Sequence, residues 1–225
     1  MNIISLSDLA SCGRLIEAGG IVAVPTDRWY MLCCDASNRS AWSRVYEAKR
    51  RDRSKPLALI LPPRADLESH FHLSDDAKIL INAFWPGDLA LQLKWLTPEL
   101  GRTYSSVGAE TALVTQPSGS MALLAGHTAV YIAATTANMS GPAGPNGQGP
   151  AISVSEVLEF ARLSGLELTA IADGGICPHF QHMTIVDCTD PASSARIVRE
   201  GTTHPRSIML ALSESRLGKH ANREP

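Results

Sequence analysis

The chain has 225 residues, 44% of them hydrophobic and 19% charged, which suits one globular core burying roughly 70% of its unfolded surface and excludes a disordered chain. Lys plus Arg number 20 against 22 Asp plus Glu, a formal net charge of -2, so no global field draws the protein to a membrane or supports stable nucleic-acid binding. Cys12, Cys33, Cys34, Cys177 and Cys188 form no C-x-x-C pair, no basic segment precedes an early apolar run, and apolar stretches such as 57–63 are too short to span a bilayer, so reduced thiols and a cytoplasmic location are expected.

Apolar spacing over 6–18 predicts a helix that Gly19-Gly20 stops. Residues 21–24 read as a short strand ending at Pro25, which lacks the N–H a ladder needs, so the chain should leave the sheet at Thr26-Asp27. A strand over 29–34 follows, and Ser37 or Asn38 can cap a helix to about Arg50. The unbroken apolar run 57–61 predicts an interior strand covered on both faces. Ser74 or Asp75 opens the next helix, and 89–95 alternates with the period of a strand. Further strands are expected at 111–114 and 130–135, with a short helix from Ser118 to Leu124 between them. A Gly/Pro-rich loop, 142–150, precedes a helix to Leu163 capped by Ser153 and Glu156. Strands at 168–172, 183–186 and 196–198 and a helix over 207–217 complete the chain. Helices and strands interleave, yet several strands follow one another directly, which predicts a mixed sheet.

The densest basic cluster is Lys49-Arg50-Arg51-Asp52-Arg53-Ser54-Lys55, between a helix and the buried strand. Lys offers phosphate a point charge and Arg a donor fork, although the run taken alone also suits a solvated loop. A second candidate, Thr135 to Gly141, puts hydroxyls and a carboxamide at the end of a strand, with Thr136 and Asn138 facing one way if the backbone stays extended. The seven histidines show no H-E-x-x-H arrangement, no serine lies in G-x-S-x-G, and no metal-ligating set is expected.

Taken in order and spacing, several pieces between Ala18 and Gly201 resemble the YrdC/Sua5 family: 19–27, 45–51 with Lys55-Pro56-Leu57, Phe84-Trp85-Pro86-Gly87, the Thr136 to Gly141 turn, Asp173-Gly174-Gly175, 184–187 and 198–201. The family's K-x-R pair and S/T-x-N element match Lys49, Arg51, Thr136 and Asn138. The resemblance implies a YrdC-like α/β fold, a twisted open mixed sheet flanked by helices with a concave basic cavity. It spans a nucleotide-binding catalytic domain over 1–205, followed by a C-terminal helix and polar tail over 206–225. It implies ATP with Mg²⁺, and condensation of bicarbonate and an amino acid, possibly L-threonine, into a carbamate that is joined to AMP with release of pyrophosphate. A related activity uses carbamoyl phosphate, and a downstream carbamoyl or threonylcarbamoyl transferase would consume the product; a non-catalytic nucleotide or RNA-binding module is the third reading.

The implied catalytic residues are Lys49, Arg51, Thr136 and Asn138, with Thr26, Lys55, Ser140, Thr184 and Arg199 on the nucleotide and Arg28, Tyr30 and Thr115 on the substrate. Departures concentrate at the substrate end: Arg28 replaces a threonine, Met31 a glycine and Thr115 an arginine, while Asp88 and Ala90 alter the W-P-G-P-L-T pattern. Arg28 could restore the charge missing at Thr115 from the opposite wall; the alternative is that it points to solvent.

Overall fold

The computed structural model describes residues 1–141, 149–179 and 181–221. The expected Gly/Pro-rich loop, 142–150, lies outside the described residues except for Gly149 and Pro150, as does the tail beyond Ala221. The strands are β1 (Asn2–Ser5), β2 (Val22–Pro25), β3 (Tyr30–Asp35), β4 (Ala58–Ile60), β5 (Phe71–His72), β6 (Leu89–Trp95), β7 (Thr111–Thr115), β8 (Ile132–Thr136), β9 (Ala170–Asp173), β10 (Thr184–Asp187) and β11 (Arg196–Arg199). The helices are α1 (Leu9–Glu17), α2 (Arg39–Lys49), α3 (Asp75–Phe84), α4 (Pro98–Thr103), α5 (Gly119–Gly126), α6 (Val154–Ser164) and α7 (Pro205–Ala221).

The expected mixed sheet forms in the order β1-β9-β2-β3-β8-β4-β7-β6-β10-β11, with β5 pairing the far end of β6. Parallel pairs (β1 with β9, β9 with β2, β4 with β7, β6 with β10) are combined with antiparallel ones (β2 with β3, β3 with β8, β8 with β4, β6 with β7). The run 57–61 is interior, as its composition predicts: β4 pairs on both edges, and Leu57, Leu59 and Leu61 are buried. Each such leucine stabilises the fold by about 2 kcal/mol through burial.

Alternation along the strands separates two cores. Leu59, Leu91, Val114 and Ala133 face α2, α3 and α6, whereas Val22, Cys33, Ile60 and Ala134 lie on the other face with α1 and α5. Helices start where side chains satisfy their first N–H groups: Asn38 Oδ1 accepts from Ala41 N at 3.1 Å and Ser74 Oγ from Ala77 N at 3.1 Å. Ser153 caps α6, but Glu156 accepts from Ile152 N rather than from Ser153 N, so the expected capping box closes one residue early. α7 packs on α3 and buries Ile208. No helix among the described residues is long and apolar enough to cross a membrane.

Candidate active site

A cavity of about 230 Å³ opens on the second face, beyond the part covered by α1 and α5. Its floor consists of residues two apart on neighbouring strands: Ala58 and Ile60 of β4, Leu113 and Thr115 of β7, and Ala134 and Thr136 of β8. Ladder register extends this floor, since Ile60 pairs with Thr115, and Ala90 pairs with Ile185, which pairs with Arg199. Alanines on three central strands leave the space, and polar side chains edge it: Arg51 along one side, Arg28, Arg199 and the imidazole of His182 along the other.

The K-x-R spacing has a local cause. α2 ends in a Schellman turn, with Arg50 in the left-handed region at φ 47° while Arg50 N and Arg51 N donate to Glu47 O and Tyr46 O. The turn leaves Lys49 on the inward side of the last helical turn and carries Arg51 round to the cavity. Lys49 is 1% exposed, and its ammonium donates to Thr136 O, Asn138 O and Asn138 Oδ1. Burial, with Arg51 nearby, pulls its pKa down to about 7. Lys49 thus ties α2 to the end of β8 from behind the wall. Thr136 and Asn138 do converge, with Thr136 Oγ1 donating to Asn138 Oδ1 at 2.6 Å, but through a tight turn in which Asn138 N reaches Thr136 O rather than through extended backbone. Arg51 donates to Lys55 O at 2.9 Å and Pro56 O at 2.8 Å, which fixes the basic loop, and burial lowers its pKa.

The opposite wall rests on a turn and a close strand approach. Thr26 Oγ1 donates to Trp29 O at 2.9 Å and accepts from Arg28 N and Trp29 N, so the turn after β2 uses this hydroxyl and delivers Arg28 to the cavity. The Arg28 side chain is 8% exposed and donates to Asp88, which rules out the solvent-pointing alternative; these two departures from the family pattern form one ion pair. Arg199 donates through Nε and Nη2 to Met183 O, and burial and then Arg28 lower its pKa. His182 lies between these elements, its ring 5.2 Å from that of Trp29 and its carbonyl accepting from Thr202 N and Oγ1. Partial burial, then Arg199 and Arg28, hold the His182 pKa below the usual histidine range. Gly201 permits the approach, since a Cβ there would come within 2.2 Å of His182 O.

Other residues expected at the site lie off the cavity. Tyr30 is fully buried, and its hydroxyl accepts from Gly174 N and donates to Gly175 O, so it braces that turn. Thr184 is fully buried and donates to Thr203 O at 2.6 Å. Lys55 is exposed, its carbonyl accepting from Arg51 and Tyr46 and its N–H donating to Asp52 O. Ser140 N donates to Lys49 O, while its buried hydroxyl finds no partner among the described residues. Thr115 does line the cavity, though its hydroxyl is engaged by Leu89 O at 3.1 Å. Sequence reasoning missed His182 and the pairing role of Asp88. The available signals were a histidine just before a strand and two oppositely charged departures, Arg28 and Asp88, in two of the family's motifs.

The chain is similar in sequence and fold to several known proteins. A threonylcarbamoyl-AMP synthase of Bacillus subtilis is 32% identical over 184 residues, 81% of this chain and 50% of that protein. One from Mus musculus is 30% identical, covering 83% of this chain and 64% of its own length. The chain therefore spans about half the length of the Bacillus subtilis relative. Among solved structures, P. abyssi Sua5 complexed with L-threonine superposes with a TM-score of 0.76 at 27% identity, covering 94% of this chain and 60% of that one. E. coli YciO shares the fold with a TM-score of 0.70 at 20% identity, covering 89% and 92% of the respective chains. The Sua5/YciO/YrdC family profile, described as telomere recombination, matches residues 14–201, and the chain belongs to that family.

Proposed function

We propose that the chain condenses an amino acid with bicarbonate and joins the resulting carbamate to AMP, consuming ATP and releasing pyrophosphate. The observation that carries this reading is one cavity with an apolar floor and separate cationic edges, Arg51 on one side and Arg28 with Arg199 on the other. Attack of the carbamate oxygen on the α-phosphorus spreads negative charge over phosphate oxygens, and fixed cations stabilise that distribution more than they stabilise bound ATP. Arg51 and Arg199 take the phosphate charge, Thr136 and Asn138 position a phosphate oxygen or a water near it, and Lys49 holds their turn in place. Arg28, opposite the uncharged Thr115, takes the carboxylate of the amino acid.

L-threonine is the proposed amino acid, supported by the name of the relatives and by the L-threonine complex of P. abyssi Sua5. A transferase that passes the threonylcarbamoyl group to tRNA adenosine would be the downstream partner. Among the described residues no three His, Cys, Asp or Glu side chains gather to hold a metal ion. Mg²⁺ would arrive on the ATP phosphates as part of the substrate, in keeping with its preference for phosphate oxygens and retained waters.

Incubation with ATP, Mg²⁺, L-threonine and carbon-labelled bicarbonate, followed by mass spectrometry, tests the reading. An adenylate carrying both the label and threonine is expected. A labelled product with another amine would change the substrate, and an unlabelled adenylate made only from carbamoyl phosphate would replace the reaction.

A further inference from the structure

We propose that His182 is the base for carbamate formation, accepting the proton that the substrate amine sheds as its nitrogen attacks the bicarbonate carbon. This rests on the carbamate reading above and adds to it the group that moves the proton. The step balances as R–NH₃⁺ plus HCO₃⁻ giving R–NH–COO⁻, water and one proton. The N–C bond forms, a C–O bond of bicarbonate breaks, its oxygen leaves as water, and the remaining proton passes to imidazole. A protonated amine has no lone pair with which to attack, so a base is needed at neutral pH.

Among the described residues lining the cavity, His182 is the side chain whose ordinary titration range lies near neutrality; the others are arginines, hydroxyls and apolar groups. Lys49 stands behind the wall with its ammonium enclosed by oxygens of Thr136 and Asn138. The His182 ring is placed by its contact with Trp29, and its backbone is pinned by Thr202.

The charged groups around His182 are Arg28 from the turn after β2 and Arg199 from β11, with Asp88 at the start of β6 paired to Arg28. A carboxylate seated on the Arg28 guanidinium brings the amine, one carbon away, to the imidazole beside it. The same cations favour the neutral ring, which can accept a proton, and the incoming carboxylate offsets their repulsion as the ring becomes charged.

The test is the rate of pyrophosphate release from about pH 6 to about pH 9, with saturating ATP, Mg²⁺ and bicarbonate, for the wild type, His182→Phe and His182→Gln. His182→Phe keeps a ring against Trp29. Both variants are expected to be about 100-fold slower near neutral pH and to recover as the free amine becomes available at higher pH, with KM for ATP unchanged and partial rescue by added imidazole. The wild-type rate should instead be flat through neutrality. Variants that retain the wild-type rate and pH profile overturn the assignment, as does a loss uniform in pH with a raised KM for ATP, which marks a structural role. Absence of wild-type turnover with any amine removes the carbamate reading, and this inference with it.

Discussion

The two walls of the cavity solve opposite electrostatic problems. On one, Lys49 meets three oxygens, Thr136 meets Asn138, and Arg51 is tied to two carbonyls of its own loop. On the other, Arg28, Arg199 and His182 crowd together, with Asp88 bonded to Arg28 and Arg199 bonded to a backbone carbonyl. The first wall is preorganised: its polar groups are already fixed, so little ordering remains when a phosphate arrives. The second carries positive charge that an arriving anion relieves. On the proposed reading, the amino acid carboxylate pairs with Arg28 on the under-neutralised wall, whose Arg199 shares the phosphate charge with Arg51 of the satisfied wall.

The largest expected effect would break the comparison on the satisfied side. Lys49→Met leaves three inward oxygens without their cation and should lower unfolding stability by about 3 kcal/mol in denaturant titration, with turnover falling about 100-fold. Arg51→Ala should lose a similar share of turnover with little change in stability. A Lys49→Met protein as stable as the wild type but inactive would place Lys49 on the ligand rather than behind the wall.

Arg28→Thr sharpens the other side. It should raise KM for the amino acid about 10-fold or more and leave KM for ATP unchanged, because a charged hydrogen bond is worth about 1.5–3 kcal/mol. An unchanged KM for the amino acid would reject Arg28 as the carboxylate contact and leave it as a partner of Asp88 alone.

What was legible in the sequence divides along the same line. The Lys49-Arg51 and Thr136-Asn138 spacings are local, and a helix end and a strand end suffice to place them. The interior strand at 57–61 was legible for a similar reason, since an unbroken apolar run marks a strand paired on both edges, although Ala58 and Ile60 on one of its faces line the cavity rather than a fully covered core. The signals at His182 and Asp88 did not place either residue, because their positions depend on the pairing of Ile185 with Arg199 and on an ion pair between residues 60 apart. β1 was missed because it is an edge strand with mostly exposed side chains, defined by its pairing with distant β9. The Thr97 cap and Pro98 at the start of α4 were readable signals of a helix that went unread.

The smallest effect concerns the turn that creates the K-x-R geometry. Arg50 occupies a backbone region that favours glycine, so Arg50→Gly should stabilise the protein by about 1 kcal/mol, seen as a raised Tm, without changing turnover. A fall in turnover would show that the Arg50 side chain contributes to the basic wall.

The central claim is tested most directly by pyrophosphate release from ATP and Mg²⁺ with bicarbonate and single amino acids omitted or supplied in turn, and carbamoyl phosphate assayed separately. The account predicts release that requires ATP, bicarbonate and an amino acid together, with L-threonine supporting turnover. ATP binding without release in the presence of any donor would contradict it and leave a nucleotide-binding module of the same fold.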